Sequence, residues 1–122
     1  MRRIFYAEDE PLTRRVVSAK LEKVFPDYEI EIFSNGDSLD KALNLDISEV
    51  KYVITDNQMP GINGSEIIKR HSWMYKEIEF ILYTADGELI GKEAVENGAV
   101  YIPKETSNNN LINYLKDNIN RD

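Results

Sequence analysis

The sequence predicts an α/β fold, a doubly wound five-stranded parallel sheet with helices on both faces. Three observations carry this expectation. Short apolar runs alternate five times with amphipathic stretches. The third run, 51–55, is apolar almost without a break, as in a central strand buried on both faces. The polar residues of chemical interest follow the last residues of such runs, the rim where open α/β sheets collect their functional groups.

The elements follow in order. "IFYA" (4–7) reads as the first strand. A helix over 11–25 comes next, with Pro11 in its first turn and Leu12, Val16, Val17, Leu21, Val24 and Phe25 on its inward side. "YEIEIF" (28–33) alternates with period two, a strand with one face partly wet. "SNGD" (34–37) has the Ser-x-x-acid form of a capping box, and Leu39, Ala42 and Leu43 continue it as a helix. After the third strand, the loop 57–63 leads to a short helix carrying Ile67 and Ile68. "FILYT" (80–84) is the fourth strand. Asp86 is positioned to cap a helix running to about Asn97, with Leu89, Ile90, Ala94 and Val95 inward and Gly98 as its terminator. "AVYI" (99–102) is the fifth strand, and Thr106 or Ser107 would cap a last helix with Leu111, Leu115 and Ile119 inward.

The bulk properties narrow the function. With 122 residues and no linker, the whole chain, 1–122, is expected to be one domain. The absence of cysteine excludes a disulfide scaffold, a zinc knuckle and a thiol nucleophile, and favours a reducing, cytoplasmic setting. No apolar run approaches membrane-spanning length, and the acids after Ala7 argue against a signal peptide. A net charge of −7 disfavours direct contact with nucleic acid, which needs a basic face.

At the carboxyl rim stand Glu8 and Asp9 after strand one, Asp56 after strand three, Thr84 closing strand four and Lys104 just past strand five. If strands one and three are adjacent, the three acids are neighbours, and mutual repulsion would force one to stay protonated unless a cation intervened. A hard divalent ion removes that conflict. Mg²⁺, with Mn²⁺ as a substitute, prefers oxygen ligands; Asp9, Asp56 and the backbone carbonyl of Gln58 can supply them, and Glu8 can hold a ligated water. Asp56 then keeps a second oxygen that can attack phosphorus to form an acyl phosphate. Lys104 and the Thr84 hydroxyl would meet phosphoryl oxygens.

Taken in order, the acid pair of "AEDEP", "VITDNQMPGINGSE", "LYTADG" and "NGAVYIPK" resemble the receiver domain of two-component response regulators, over nearly the whole chain. The resemblance implies a flavodoxin-like (CheY-like) three-layer sandwich with strand order 2-1-3-4-5. It implies that Asp56 accepts a phosphoryl group from a sensor histidine kinase or phosphotransfer protein, with Mg²⁺ at Glu8 and Asp9. Thr84 and Lys104 would contact the phosphoryl group, and Tyr101 matches the aromatic switch residue. The switch would alter the surface of the fourth helix, fifth strand and fifth helix, which would meet a downstream output protein or domain, or a second copy in a homodimer. Such a domain assists its own phosphorylation but is a signalling switch, not an enzyme with a diffusible product. Gln58 and Asp86 sit where family members tune the lifetime of the phosphoryl group.

The chain departs from the family pattern in three places. Glu105 follows Lys104 where proline is usual, and the stretches 84–98 and 98–101 are each about one residue short. These departures keep open an alternative, a receiver-like binding module that works without phosphorylation. An Asp-nucleophile phosphatase is opposed by Gln58 at the position such enzymes give a second Asp, and a flavin module by the anionic "EDEP" where a phosphate loop would lie. Of the remaining residues, Glu10 reads as surface, and Pro60, Gly61 and Gly64 as turn residues. Trp73 and Met74 read as packing for a helix end. His71, the single histidine, lies at a helix end where a cation is favoured and has no partner cluster in the sequence.

Overall fold

A computed structural model describes residues 1–119; the last three residues of the expected domain lie outside the described residues. Strands β1 (Arg2–Ala7), β2 (Tyr28–Phe33), β3 (Val50–Thr55), β4 (Glu79–Thr84) and β5 (Val100–Pro103) form one parallel sheet in the order β2-β1-β3-β4-β5. Between and after them run α1 (Pro11–Val24), α2 (Gly36–Leu45), α3 (Gly64–His71), α4 (Glu88–Glu96) and α5 (Asn109–Ile119). The expected fold class, parallel pairing and strand order are those observed.

The two-residue period of a strand sorts the core into two layers. Ile4, Tyr6, Ile54, Ile81 and Tyr83 face α1 and α5, where Val17, Leu21, Leu111 and Leu115 meet them. Phe5, Ala7, Val53, Phe80 and Leu82 face the other way, against Leu39 and Leu43 of α2, Ile67 and Ile68 of α3 and Ala94 of α4. Burying each large side chain contributes roughly 1.5–3 kcal/mol, which fixes the register of every strand, since a one-residue slip would exchange the two layers.

Several local expectations are corrected. The cap of α2 is Asn35, not Ser34; its side chain accepts from the Ser38 amide, while Asp37 instead accepts from the Ile62 amide. Glu10 does more than face solvent: its carboxylate accepts from the amides of Leu12 and Thr13 and so caps α1, whose proline at the first turn needs no such partner. Asp86 does not cap α4, which starts after Gly87 without a side-chain cap. On α1, Val17 and Leu21 are buried but Leu12 and Val16 are exposed; on α4, Leu89 is 80% exposed and Val95 is also exposed. Trp73 and Met74 lie at the surface, Trp73 at 63% exposure, rather than packing the end of α3.

Other expectations match the structure. Gly98, at φ 91°, ends α4: its amide donates to the Val95 carbonyl and the Ala99 amide to the Ala94 carbonyl, a left-handed turn that a side chain would strain. Ser107 Oγ accepts from the Asn109 amide at the start of α5. His71 does end α3, but it is buried and has a partner: Nε2 lies 2.7 Å from Asp40 Oδ1 on α2, and the ring stacks on Tyr75. An acid 31 residues upstream gave no local sign of this pairing.

Candidate functional site

The sheet ladder continues one residue past the strands and places the site backbone. The Asp56 amide donates to the Ala7 carbonyl at 3.1 Å, the Glu8 amide to Phe33 at 3.0 Å and the Lys104 amide to Thr84 at 3.0 Å. Each polar residue is therefore carried by a strand end held on a neighbouring strand. Behind Asp56, the Gly64 amide donates to the Asn57 carbonyl, and a Cβ on Gly64 would sit 2.0 Å from the Asp56 carbonyl oxygen. The first turn of α3 thus packs directly against the Asp56 backbone, which a side chain at residue 64 would push away.

These ends line one cleft of about 630 Å³ with Glu8, Asp9, Asp56, Gln58, Thr84, Asp86 and Lys104 on its wall. Lys104 Nζ donates to Asp56 Oδ2 at 2.8 Å and to Glu8 Oε1 at 2.6 Å. It reaches them although Glu105 replaces proline; every described peptide bond, including Lys104–Glu105, is trans. The other Asp56 oxygen accepts from the Asn57 amide at 2.7 Å, and the second Glu8 oxygen from the Glu10 amide. Arg14, on the first turns of α1, donates to the Glu8 and Asp9 carbonyls and steadies the loop that bears both acids.

Burial is the largest influence on Glu8, which is 1% exposed; with the neighbouring Asp56 charge it holds the carboxyl above its ordinary 4.5 despite the Lys104 bond. Burial pulls Lys104 down, but its hydrogen bonds to Asp56 and Glu8 and their charges outweigh this, so the ammonium is held above its ordinary 10.5. One oxygen each of Glu8, Asp9 and Asp56 lie within 4.8 Å of one another. Three hard anionic oxygens at that spacing, rimmed by an open cleft, fit a small divalent cation such as Mg²⁺.

All the residues singled out in the sequence therefore meet at one rim, with Gln58 on the cleft wall and Tyr101 beside it. The Thr84 hydroxyl accepts from the Asp86 amide at 3.2 Å. Tyr101 lies inward over α4: its hydroxyl donates to the Asp86 carbonyl at 3.2 Å, and its ring covers Gly91 so closely that a Cβ there would come within 2.4 Å. Sequence reading missed Arg14 and Asn57. Asn57, buried beside Asp56, donates from its side chain to Asp86 Oδ2 and accepts from the Ser65 amide.

Comparison with known proteins agrees with this arrangement. The family model for the response regulator receiver domain matches residues 4–116. The chain belongs to this family. Receiver domains are the phosphoacceptor switches of two-component signalling, and they bind Mg²⁺ at an acidic pocket. Among solved structures, the response regulator TrrA from Thermotoga maritima in complex with Mg(2+)-BeF is similar at 28% identity and TM-score 0.78, covering 96% of this chain and 98% of that one. A LuxR-family DNA-binding response regulator from Staphylococcus aureus shares 26% identity with TM-score 0.80, over 96% and 98% of the two chains. A CheY-like receiver domain protein from Methanospirillum hungatei JF-1 has the same fold, with TM-score 0.85 at 19% identity over 99% and 95%. No curated protein matches the chain by sequence.

Proposed function

We propose that residues 1–122 are one cytoplasmic receiver domain in which Asp56 takes a phosphoryl group from the phosphohistidine of a sensor kinase or phosphotransfer protein. One Asp56 oxygen forms the new bond to phosphorus. The phosphorus–nitrogen bond breaks, and the imidazole leaves with that electron pair. Lys104 and the Thr84 hydroxyl meet phosphoryl oxygens, so charge that builds in transfer is answered by groups already in place. Glu8, Asp9, Asp56 and the Gln58 carbonyl would hold Mg²⁺, or Mn²⁺ in its stead, which supplies charge neutralisation at the phosphoryl group when bound. Thr84 and Tyr101 would then reshape the α4–β5–α5 surface, where Leu89 and Val95 stand exposed for an output protein or domain, or a second copy.

The observation that carries this reading is the set around Asp56: a carboxylate at a strand end, Lys104 on one oxygen at 2.8 Å, and two further acids within 4.8 Å. The test is incubation with acetyl phosphate and Mg²⁺ followed by intact-mass measurement. Wild type should gain one phosphoryl group and Asp56→Asn none. A wild type that stays unmodified with this small donor and with a phosphorylated kinase would favour the phosphorylation-independent binding module instead.

A further inference from the structure

The sheet ladder holds Lys104 only by its amide, on the Thr84 carbonyl at 3.0 Å. The loop 104–108 beyond β5 decides where the ammonium points, and in it Glu105 stands where receivers usually have proline. Two of the bonds that tie this segment down are exposed. Lys20 Nζ donates to the Ser107 carbonyl, and the Asn110 side chain to the Pro103 carbonyl. A further bond is buried. The Tyr83 hydroxyl, from β4, donates to Asn108 Oδ1, and the Asn108 amide donates to the Glu105 carbonyl at 3.2 Å. Neither end of the buried bond is explained by packing alone. Tyr83 is fully buried in the layer facing α1 and α5, where phenylalanine would fill the same space with no hydroxyl to satisfy. Asn108 is buried at φ 60°, a left-handed position that glycine holds with less strain, so the side chain is what the site gains. Burial holds the Tyr83 phenol above its ordinary 10.0, opposed by the Glu105 amide, which faces the same hydroxyl, and by the Lys104 charge. A proline at 105 would have no such amide.

We infer that Tyr83 and Asn108 are positioning residues for Lys104, their buried bond pinning the loop 104–108 to β4 so that the ammonium reaches Asp56 and Glu8. Tyr83 immediately precedes Thr84. The same strand end therefore presents a hydroxyl to the cleft and anchors the lysine loop from the layer facing α1 and α5. Neither Tyr83 nor Asn108 touches a reacting atom. They act on phosphoryl transfer only through Lys104, and that part of the inference rests on Asp56 being the acceptor. A buried hydrogen bond between neutral groups biases the loop towards its pinned position about fivefold.

The test uses Tyr83→Phe, which keeps the ring, and Asn108→Gly, which suits the backbone and removes the side chain. The first readout is the Lys104 ¹⁵Nζ signal of lysine-labelled protein in chelator, assigned by its loss in Lys104→Met. In wild type it should stand apart from the signals of exposed lysines. In both variants it should move towards them, while lysines away from the loop keep their positions. The second readout is the rate at which acetyl phosphate and Mg²⁺ add a phosphoryl group, followed by intact mass. Each variant should be about fivefold slower than wild type, and the double variant no slower than either, since both remove the same bond. In a Lys104→Met background, Tyr83→Phe should make no further difference. A Lys104 signal that stays in place in either variant overturns the inference. So does a rate that does not fall, or one that falls equally with and without the lysine. If the signal moves but wild type takes no phosphoryl group from acetyl phosphate or a phosphorylated kinase, the acceptor reading fails and the role in transfer with it, while the placement of Lys104 stands.

Discussion

Glu8 is where stability and ion binding pull against each other. Its carboxyl is held above 4.5, chiefly by burial, so only in the interval between the unfolded and folded values does the folded chain hold more of that proton than the unfolded chain. For a carboxyl raised on folding, the cost is absent below the unfolded value, grows as pH rises through the interval up to the folded one, and is complete above it. In chelator at pH 7, Glu8→Gln should therefore melt above wild type, and the gap should close as pH falls towards 4.5. The same variant should bind Mg²⁺ more weakly, by calorimetry, because it removes one of three clustered acids. Tyr6 offers a simpler case. Its hydroxyl is buried with no partner among the described residues, and burial first, then the charges of Glu8 and other neighbours, holds the phenol well above the usual tyrosine range. Tyr6→Phe removes an unsatisfied donor while keeping the ring, and denaturant melts should show a gain of about 1 kcal/mol.

At the level of elements, α4 is the outlier. It lays Gly91 and Ala94 against the sheet side and leaves Leu89 and Val95 in solvent. Gly91 makes room for the Tyr101 ring, so Gly91→Ala gains helix propensity but closes that space. The expected outcome is a Tyr101 ring displaced outward and its bond to Asp86 broken, visible as increased ring exposure in amide and side-chain NMR. This helix also shows why part of the structure escaped the sequence. The five strands were legible because four are short apolar runs and the second alternates with period two, each between turn residues, and the acids, threonine and lysine were legible because they stand at or just past the ends of those runs. Inward faces were less so: periodicity reports which residues avoid water, not which ones a neighbour covers, and Leu12, Val16, Leu89 and Val95 were misread for that reason. The Asn57–Asp86 and His71–Asp40 pairs had no sequence signal at all, since their partners lie 29 and 31 residues apart and only the crossovers bring them together.

For the molecule as a whole, a chain of net charge −7 clusters Glu8, Asp9 and Asp56 at one rim and answers them with Lys104 from near the far end of the sequence. Lys104 joins β5 to the ends of β1 and β3 across 96 and 48 residues, so the bridge forms only when the sheet is complete. Removing it leaves Glu8 and Asp56 without their counter-charge. Lys104→Met should lose about 2 kcal/mol in chelator, a figure reduced from that of a fully buried pair because the lysine is 21% exposed. Added Mg²⁺ should raise the melting temperature of both proteins, and that of Lys104→Met by more than that of wild type.

Under the proposed function, that tethered ammonium would make the cleft behave as a small ion exchanger. The resident ammonium cannot wash out, because it is bonded to the chain, and an incoming divalent ion would gain entry by displacing it from Glu8 rather than by filling a bare anionic hole. Starving the protein of metal should therefore silence it without unravelling it, leaving a folded pool ready to respond when the ion returns.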